Sequence, residues 1–196
     1  MSTTKTPPRS AKRPPARQNS RWRWAGFIAI PLTLAILVGV STASETEDTG
    51  PEEAIQFELP TTDGNSVALN ETLAEGDTLL YFSMGVGCDG CFAQIPEIEA
   101  VLAERGLNLL SIMVDPAPLV AAEATRFGIE TPILIDSGAQ VSRDYGMIGV
   151  YGHADRPSHS FALVRQDGTI GWVRHYAEMF VPADALLTEL EASLES

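Results

Sequence analysis

The sequence predicts an α/β domain with a central mixed sheet flanked by helices, and three observations carry that expectation. The apolar run Thr78–Phe82 leads into a pair of cysteines and then into Ile95, Ile98, Val101 and Leu102, which recur with helical spacing. A second apolar run follows at residues 107–114, so strand, helix and strand make a parallel crossover. Near the C-terminus two further apolar runs flank Gln166-Asp167-Gly168 as a hairpin.

Taken in order, residues 1–24 hold Lys5, Arg9, Lys12, Arg13, Arg17, Arg21 and Arg23, no acid, and several prolines and serines. Such a composition predicts a disordered basic arm. Residues 25–44 are 20 uncharged positions, mostly apolar, long enough to span a bilayer as a signal-anchor helix. Trp22 and Trp24 stand at its basic flank, where indoles favour the interface, and the positive arm is expected to stay in the cytoplasm. A cleaved signal peptide is the alternative, since Ser41-Thr42-Ala43 is small enough for a peptidase, but both the arm and the apolar stretch are long for one. Residues 45–53, acidic and containing Gly50-Pro51, read as a tether.

Charge sharpens this partition. Seven of the 13 basic residues stand in the arm and all 26 acids lie beyond residue 40, which leaves the exported part at a formal charge of −20. That excess excludes nucleic acid as an expected partner.

The domain is expected at residues 54–196, enough for one core. Residues 55–59 alternate as a strand, and Thr62-Asp63-Gly64-Asn65 turns the chain into residues 66–69, an opening hairpin. After the cysteines Pro96 lies inside a helix that Gly106 terminates. Residues 119–127 read as a helix, 131–135 as a strand and 139–145 as a short helix. Residues 160–164 and 169–173 form the late hairpin, and Leu186, Leu187, Leu190 and Leu194 mark a closing amphipathic helix. Trp172 and Tyr176 are expected in the core or at its rim, and Glu97, Glu99 and Glu104 on a solvated helix face.

Cys88 and Cys91 are the only cysteines, in Cys88-Asp89-Gly90-Cys91. A bridge across two intervening residues constrains the unfolded chain very little, so stabilisation is a poor reason for the pair. In the first turn of a helix their Cα atoms fall within disulfide range, which suits opening and closing. Cys88, at the helix N-terminus, is the expected nucleophile and Cys91 the resolving partner. A metal site of four cysteines lacks its second pair. Asp89, beside Cys88, is expected to oppose the helix dipole and raise the thiol pKa.

With these motifs in place, residues 54–196 resemble the thioredoxin-like superfamily, in the branch joining AhpC/TSA peroxiredoxins with membrane-anchored, TlpA-like thiol-disulfide oxidoreductases. The resemblance rests on Phe57-Glu58-Leu59-Pro60 with Asp63-Gly64 and Leu69, the cysteine pair, Tyr145-Gly146, Arg156-Pro157-Ser158-His159-Ser160-Phe161, and Asp167-Gly168-Thr169-Ile170. Pro96, five residues past Cys91, matches the proline such folds carry in that helix. The resemblance further implies a cis-proline loop facing the cysteines, for which Pro157 is the candidate. It implies a reductase of exported protein disulfides, with no cofactor, served by a membrane electron donor; apo-cytochrome c and copper-centre proteins are the clients it suggests.

Two departures bear on function. A peroxiredoxin has Thr three residues before its attacking cysteine and Pro seven before, where this chain has Gly85 and Tyr81. TlpA-like reductases have an aromatic residue before the first cysteine and Glu three after the second, where this chain has Gly87 and Gln94. A thiol peroxidase is therefore the alternative enzyme. The alternative of another class is a copper chaperone binding through Cys88, Cys91 and His159; an ordinary loop or surface histidine is the plainer reading of His159.

Overall fold

A computed structural model describes residues 52–194. The expected arm at 1–24, the membrane span at 25–44 and the tether up to residue 51 lie outside the described residues. Among those described, no helix is long and apolar enough to cross a membrane. Glu52 and Glu53 are already tied to the domain: the Ile170 N–H donates to the Glu52 carbonyl at 3.0 Å and Ala54 N–H to Gly168 at 2.8 Å.

The opening hairpin forms as expected, from β1 (Glu58–Pro60) and β2 (Ser66–Ala68), with Leu59 opposite Val67. Its turn needs a left-handed residue, and Gly64 supplies it at φ 89° while the Asp63 carboxylate accepts the Asn65 N–H at 3.1 Å. A helix then begins at Leu69, where the sequence had suggested the end of a strand. This α1 (Leu69–Glu75) buries Leu69 and Leu73, four residues apart on one face.

Every residue of β3 (Thr78–Phe82) is buried, which is why the run is mostly apolar, with hydroxyls only on Thr78 and Tyr81. The chain crosses through α2 (Asp89–Ala103) to β4 (Asn108–Met113), parallel to β3, and through α3 (Ala117–Phe127) to the short parallel β5 (Leu134–Ile135). Next come α4 (Gln140–Asp144), a 3-10 turn at Val150–Gly152, the hairpin of β6 (His159–Val164) and β7 (Ile170–Tyr176), and α5 (Ala183–Leu194). The mixed sheet has the order β5-β4-β3-β6-β7, with β6 antiparallel to β3.

Alternation along β3 feeds two cores. Leu79 and Tyr81 join Phe92, Ile95 and Ile98 of α2 and Leu186 and Leu190 of α5 on one face. Leu80 and Phe82 join Leu69, Val141 and Tyr145 on the other. Since β3 is central and parallel to β4, its C-terminal end opens into the crevice where doubly covered α/β sheets place their chemistry. The cysteines follow directly.

Candidate active site

From Phe82 the chain runs through residues 83–87 to Cys88, and this short segment is braced by groups from two other strand ends. Asp115, just past β4, accepts the Val86 N–H at 2.8 Å. Arg156, just before β6, donates to the Met84 carbonyl at 3.1 Å and lies 3.7 Å from Asp115. Gly85, at φ 80°, leaves room for the Asp115 carboxylate, into which any Cβ would run.

Cys88 caps α2: its sulfur accepts the Cys91 N–H at 3.2 Å. Cys88 and Cys91 are joined by a disulfide, with Cα atoms 5.3 Å apart. The sulfur at the cap sits where the free N–H groups and dipole of the helix favour a thiolate once the bridge opens. Cys88 keeps 5% of its surface in solvent and Cys91 none, so an incoming sulfur meets Cys88 first.

The turn between them is fixed from both sides. A Cβ on Gly90 would stand 2.5 Å from the Met179 carbonyl oxygen, so the segment linking β7 to α5 lies directly against the motif. Gln94, one turn further along α2 and fully buried, holds that segment: its Oε1 accepts the Val181 N–H at 2.6 Å and its Nε2 donates to the Val181 carbonyl at 2.9 Å.

On the solvent side Asp89 pairs with Arg126 of α3, which also pairs with Glu123 and lies over the Phe127 ring. The Arg126 hydrogen bond holds the Asp89 carboxyl below the usual carboxylate range. The expected effect of Asp89 on Cys88 is therefore offset by an adjacent cation that the sequence order did not reveal.

On the core side Tyr81 Oη lies 3.1 Å from the Cys91 carbonyl oxygen and 3.0 Å from His159 Nδ1, while His159 Nε2 lies 3.1 Å from Gln94 Oε1. Burial pushes the His159 pKa down to about 4 and the Tyr81 hydroxyl well above its ordinary value. Two expectations are corrected here. His159 is a fully buried core residue, neither a loop nor a surface histidine, and both of its ring nitrogens are engaged, so it offers no free lone pair to a copper ion shared with the cysteines. Among the described residues no group of three His, Cys, Asp or Glu is placed to hold a metal.

Pro157 is the other correction. It precedes β6 at the end of the sheet from which the cysteine segment emerges, since Ser160 pairs with Phe82, but no described peptide bond is cis. Trans is the lower-energy form of an X-Pro bond, and here the loop meets the cysteine segment through the Arg156 guanidinium while Pro157 bridges Ile148. Tyr81, Asp115 and Arg156 were not singled out as site residues from the sequence. The signal for Tyr81 was a hydroxyl within the apolar stretch 79–82 of the central strand.

Comparison with known proteins agrees with this geometry. The AhpC/TSA family description matches residues 51–173. The thiol-disulfide oxidoreductase ResA of Halalkalibacterium halodurans is 28% identical over 123 residues, 61% of this chain; the match spans 64% of that relative's length. Among solved structures, the peroxidoxin BcpB of Mycobacterium tuberculosis superposes with a TM-score of 0.60 at 23% identity, covering 75% of this chain and 96% of that one. A putative protein disulfide isomerase of Bacteroides thetaiotaomicron superposes with a TM-score of 0.57 at 21% identity, covering 76% and 91%. At these identities the two structures establish a shared thioredoxin-like α/β fold.

Proposed function

The chain belongs to the AhpC/TSA family, and from that premise we propose that it is a membrane-tethered, extracytoplasmic thiol-disulfide oxidoreductase working through Cys88 and Cys91. The observation that carries this reading is the unequal pair: one cysteine at the mouth of the site on a helix N-cap, its partner buried behind it and already bridged to it. Likeness to ResA supports the same chemistry.

Reduction of a client is the favoured direction. The Cys88 thiolate attacks one sulfur of the client disulfide, that S–S bond breaks, and the first client thiolate leaves and takes a proton. Cys91 then loses its proton and attacks Cys88, releasing the second client thiol and closing the Cys88–Cys91 bridge. A membrane electron donor supplies two electrons and two protons to reopen it. The apolar stretch at 25–44 and its basic flank support an anchor that holds the domain outside the membrane, facing exported proteins such as apo-cytochrome c or copper-centre proteins.

Dithiothreitol-driven insulin reduction by wild type, Cys88→Ser and Cys91→Ser is the deciding assay. Wild type is expected to accelerate the reaction and both variants to lose that acceleration; equal rates in all three would overturn the proposal. Peroxide consumption that needs Cys88 and far exceeds a free thiol would move the function to a peroxidase. Protease accessibility of the domain in intact cells tests the orientation.

A further inference from the structure

Behind the bridge stand three polar side chains that exchange at Cys88 leaves unused. Tyr81, Gln94 and His159 come from β3, α2 and β6, are fully buried, and make one chain of hydrogen bonds ending at the Cys91 backbone. Gln94 sets its direction. Because this amide accepts from the Val181 N–H and donates to the Val181 carbonyl, its orientation is fixed, and the atom facing His159 is an oxygen without a hydrogen. The imidazole must therefore carry a proton on Nε2. In the neutral ring Nδ1 is bare and takes the Tyr81 hydroxyl proton, which is then withheld from the Cys91 carbonyl. A second proton on His159 reverses this: Nδ1–H donates to the Tyr81 oxygen, and the hydroxyl turns to Cys91.

The chain thus has two consistent arrangements, which differ by one proton on His159 and by whether Tyr81 holds the Cys91 carbonyl. We propose that His159 is a redox-linked positioning residue, which takes up a proton when the Cys88–Cys91 bridge is reduced and, through Tyr81, adds a hydrogen bond to the Cys91 carbonyl. A dithiol donor supplies the balance. It gives up two electrons and two protons and becomes a disulfide, the bridge opens, Cys88 remains a thiolate, Cys91 takes one proton as a thiol and His159 takes the other.

The surroundings suit that role. Gln94 occupies the place where TlpA-like reductases have Glu and has no proton to exchange. The ionisable groups in contact with the imidazole are Tyr81 of β3 and Tyr176 of β7, whose ring meets it edge-on at 6.4 Å, and Cys91 of α2 lies beyond Tyr81, reached through its carbonyl. The Arg174–Glu189 pair of β7 and α5 acts on Tyr176, and His175 points with Ser160 to the other face of the sheet. With the bridge closed there is no negative sulfur, and burial alone keeps the ring neutral. A thiolate at the cap adds a negative charge at the start of α2, the helix that also carries Gln94, and so favours the charged imidazole.

This inference rests on thiol-disulfide exchange at the pair, and on neither the client nor the direction. Nitrogen NMR of the imidazoles in the full chain in detergent micelles reads it directly, oxidised and then reduced with dithiothreitol, with signals assigned by His153→Gln and His175→Gln. His159 is expected as the Nε2–H form when oxidised, and on reduction its proton affinity should rise about a thousandfold, the rise that carries a group from about 4 to a substantially charged state at neutral pH. A rise of about tenfold or less would overturn the proposal. In Tyr81→Phe, which keeps the ring and removes the hydroxyl, the Cys91 carbonyl carbon shift should cease to follow the His159 titration; a shift that follows it as in wild type would overturn the role of Tyr81. Failure of insulin reduction with the linkage intact would count against the client reading alone.

Discussion

The two cysteines, three residues apart, face opposite environments. Cys88 looks to a charged, wet side, where Asp89 and Arg126 neutralise one another at the surface. Cys91 looks to a dry side, where Tyr81, His159 and Gln94 satisfy one another with no formal charge. The same short turn of helix thus gives one sulfur access and the other insulation, and the asymmetry comes from which strands pass behind it rather than from the motif.

Acid should break the dry side with the largest effect. The folded pKa of His159 is about 4 against an ordinary 6.5, so between these values the unfolded chain binds the extra proton, and stability is lost as pH falls through that window. The loss amounts to roughly 3 kcal/mol for the oxidised protein. Urea midpoints at about pH 7 and about pH 4.5 should show it in wild type and show most of it gone in His159→Asn. A loss of equal size in the variant would assign acid sensitivity to other groups.

Gly90→Ala attacks the turn between the two sides. Alanine would ordinarily favour a helix by about 1 kcal/mol, but its Cβ would meet a backbone carbonyl that cannot swing aside, and overpacking of that kind costs about 1–3 kcal/mol. A lower thermal midpoint is expected; a higher one would mean that the Met179 segment moves freely away.

Tyr81→Phe is a smaller perturbation of the dry side. It removes a hydroxyl and leaves His159 Nδ1 unpaired in the core, at a cost of about 1–2 kcal/mol by denaturant titration, with the fold kept. The least effect belongs to the wet side. Asp89→Asn removes a negative charge beside Cys88 and frees Arg126, so the Cys88 thiol should ionise at lower pH by less than tenfold, a change that fades in high salt. Iodoacetamide alkylation rates against pH would measure it, and a rise in the thiol pKa would contradict the pairing.

How much of this was legible in the sequence follows from the range of the contacts. The strand, cysteine turn and helix are a local pattern, and so is the Asp167-Gly168 hairpin; each was readable because its residues are neighbours in the chain. Helix α1 was missed because Ser66 to Leu69 alternate like a strand and only Leu73 reveals the longer period. His159 was legible as a residue near the cysteines but not in its role, since its partners lie 78 and 65 positions away. The Gln94 grip on Val181 spans 87 positions, and no periodicity signals it. The cis proline was carried over from the resemblance alone, and the local geometry around Arg156 went another way.

The brace on the segment before Cys88 has a consequence for how this chain can drift. Asp115 and Arg156 grip an amide and a carbonyl, which every residue but proline can offer, so neither grip depends on the side chain of Met84 or Val86, although Val86 also packs against the core. Gly85 and Gly87 are constrained by left-handed φ angles of 80° and 96°, and Gly85 also by the carboxylate pressed against it. Substitutions should therefore accumulate at Met84, and at Val86 only among apolar residues, while both glycines stay fixed, so that a position that looks variable in a set of descendants would sit on main chain that is held in place.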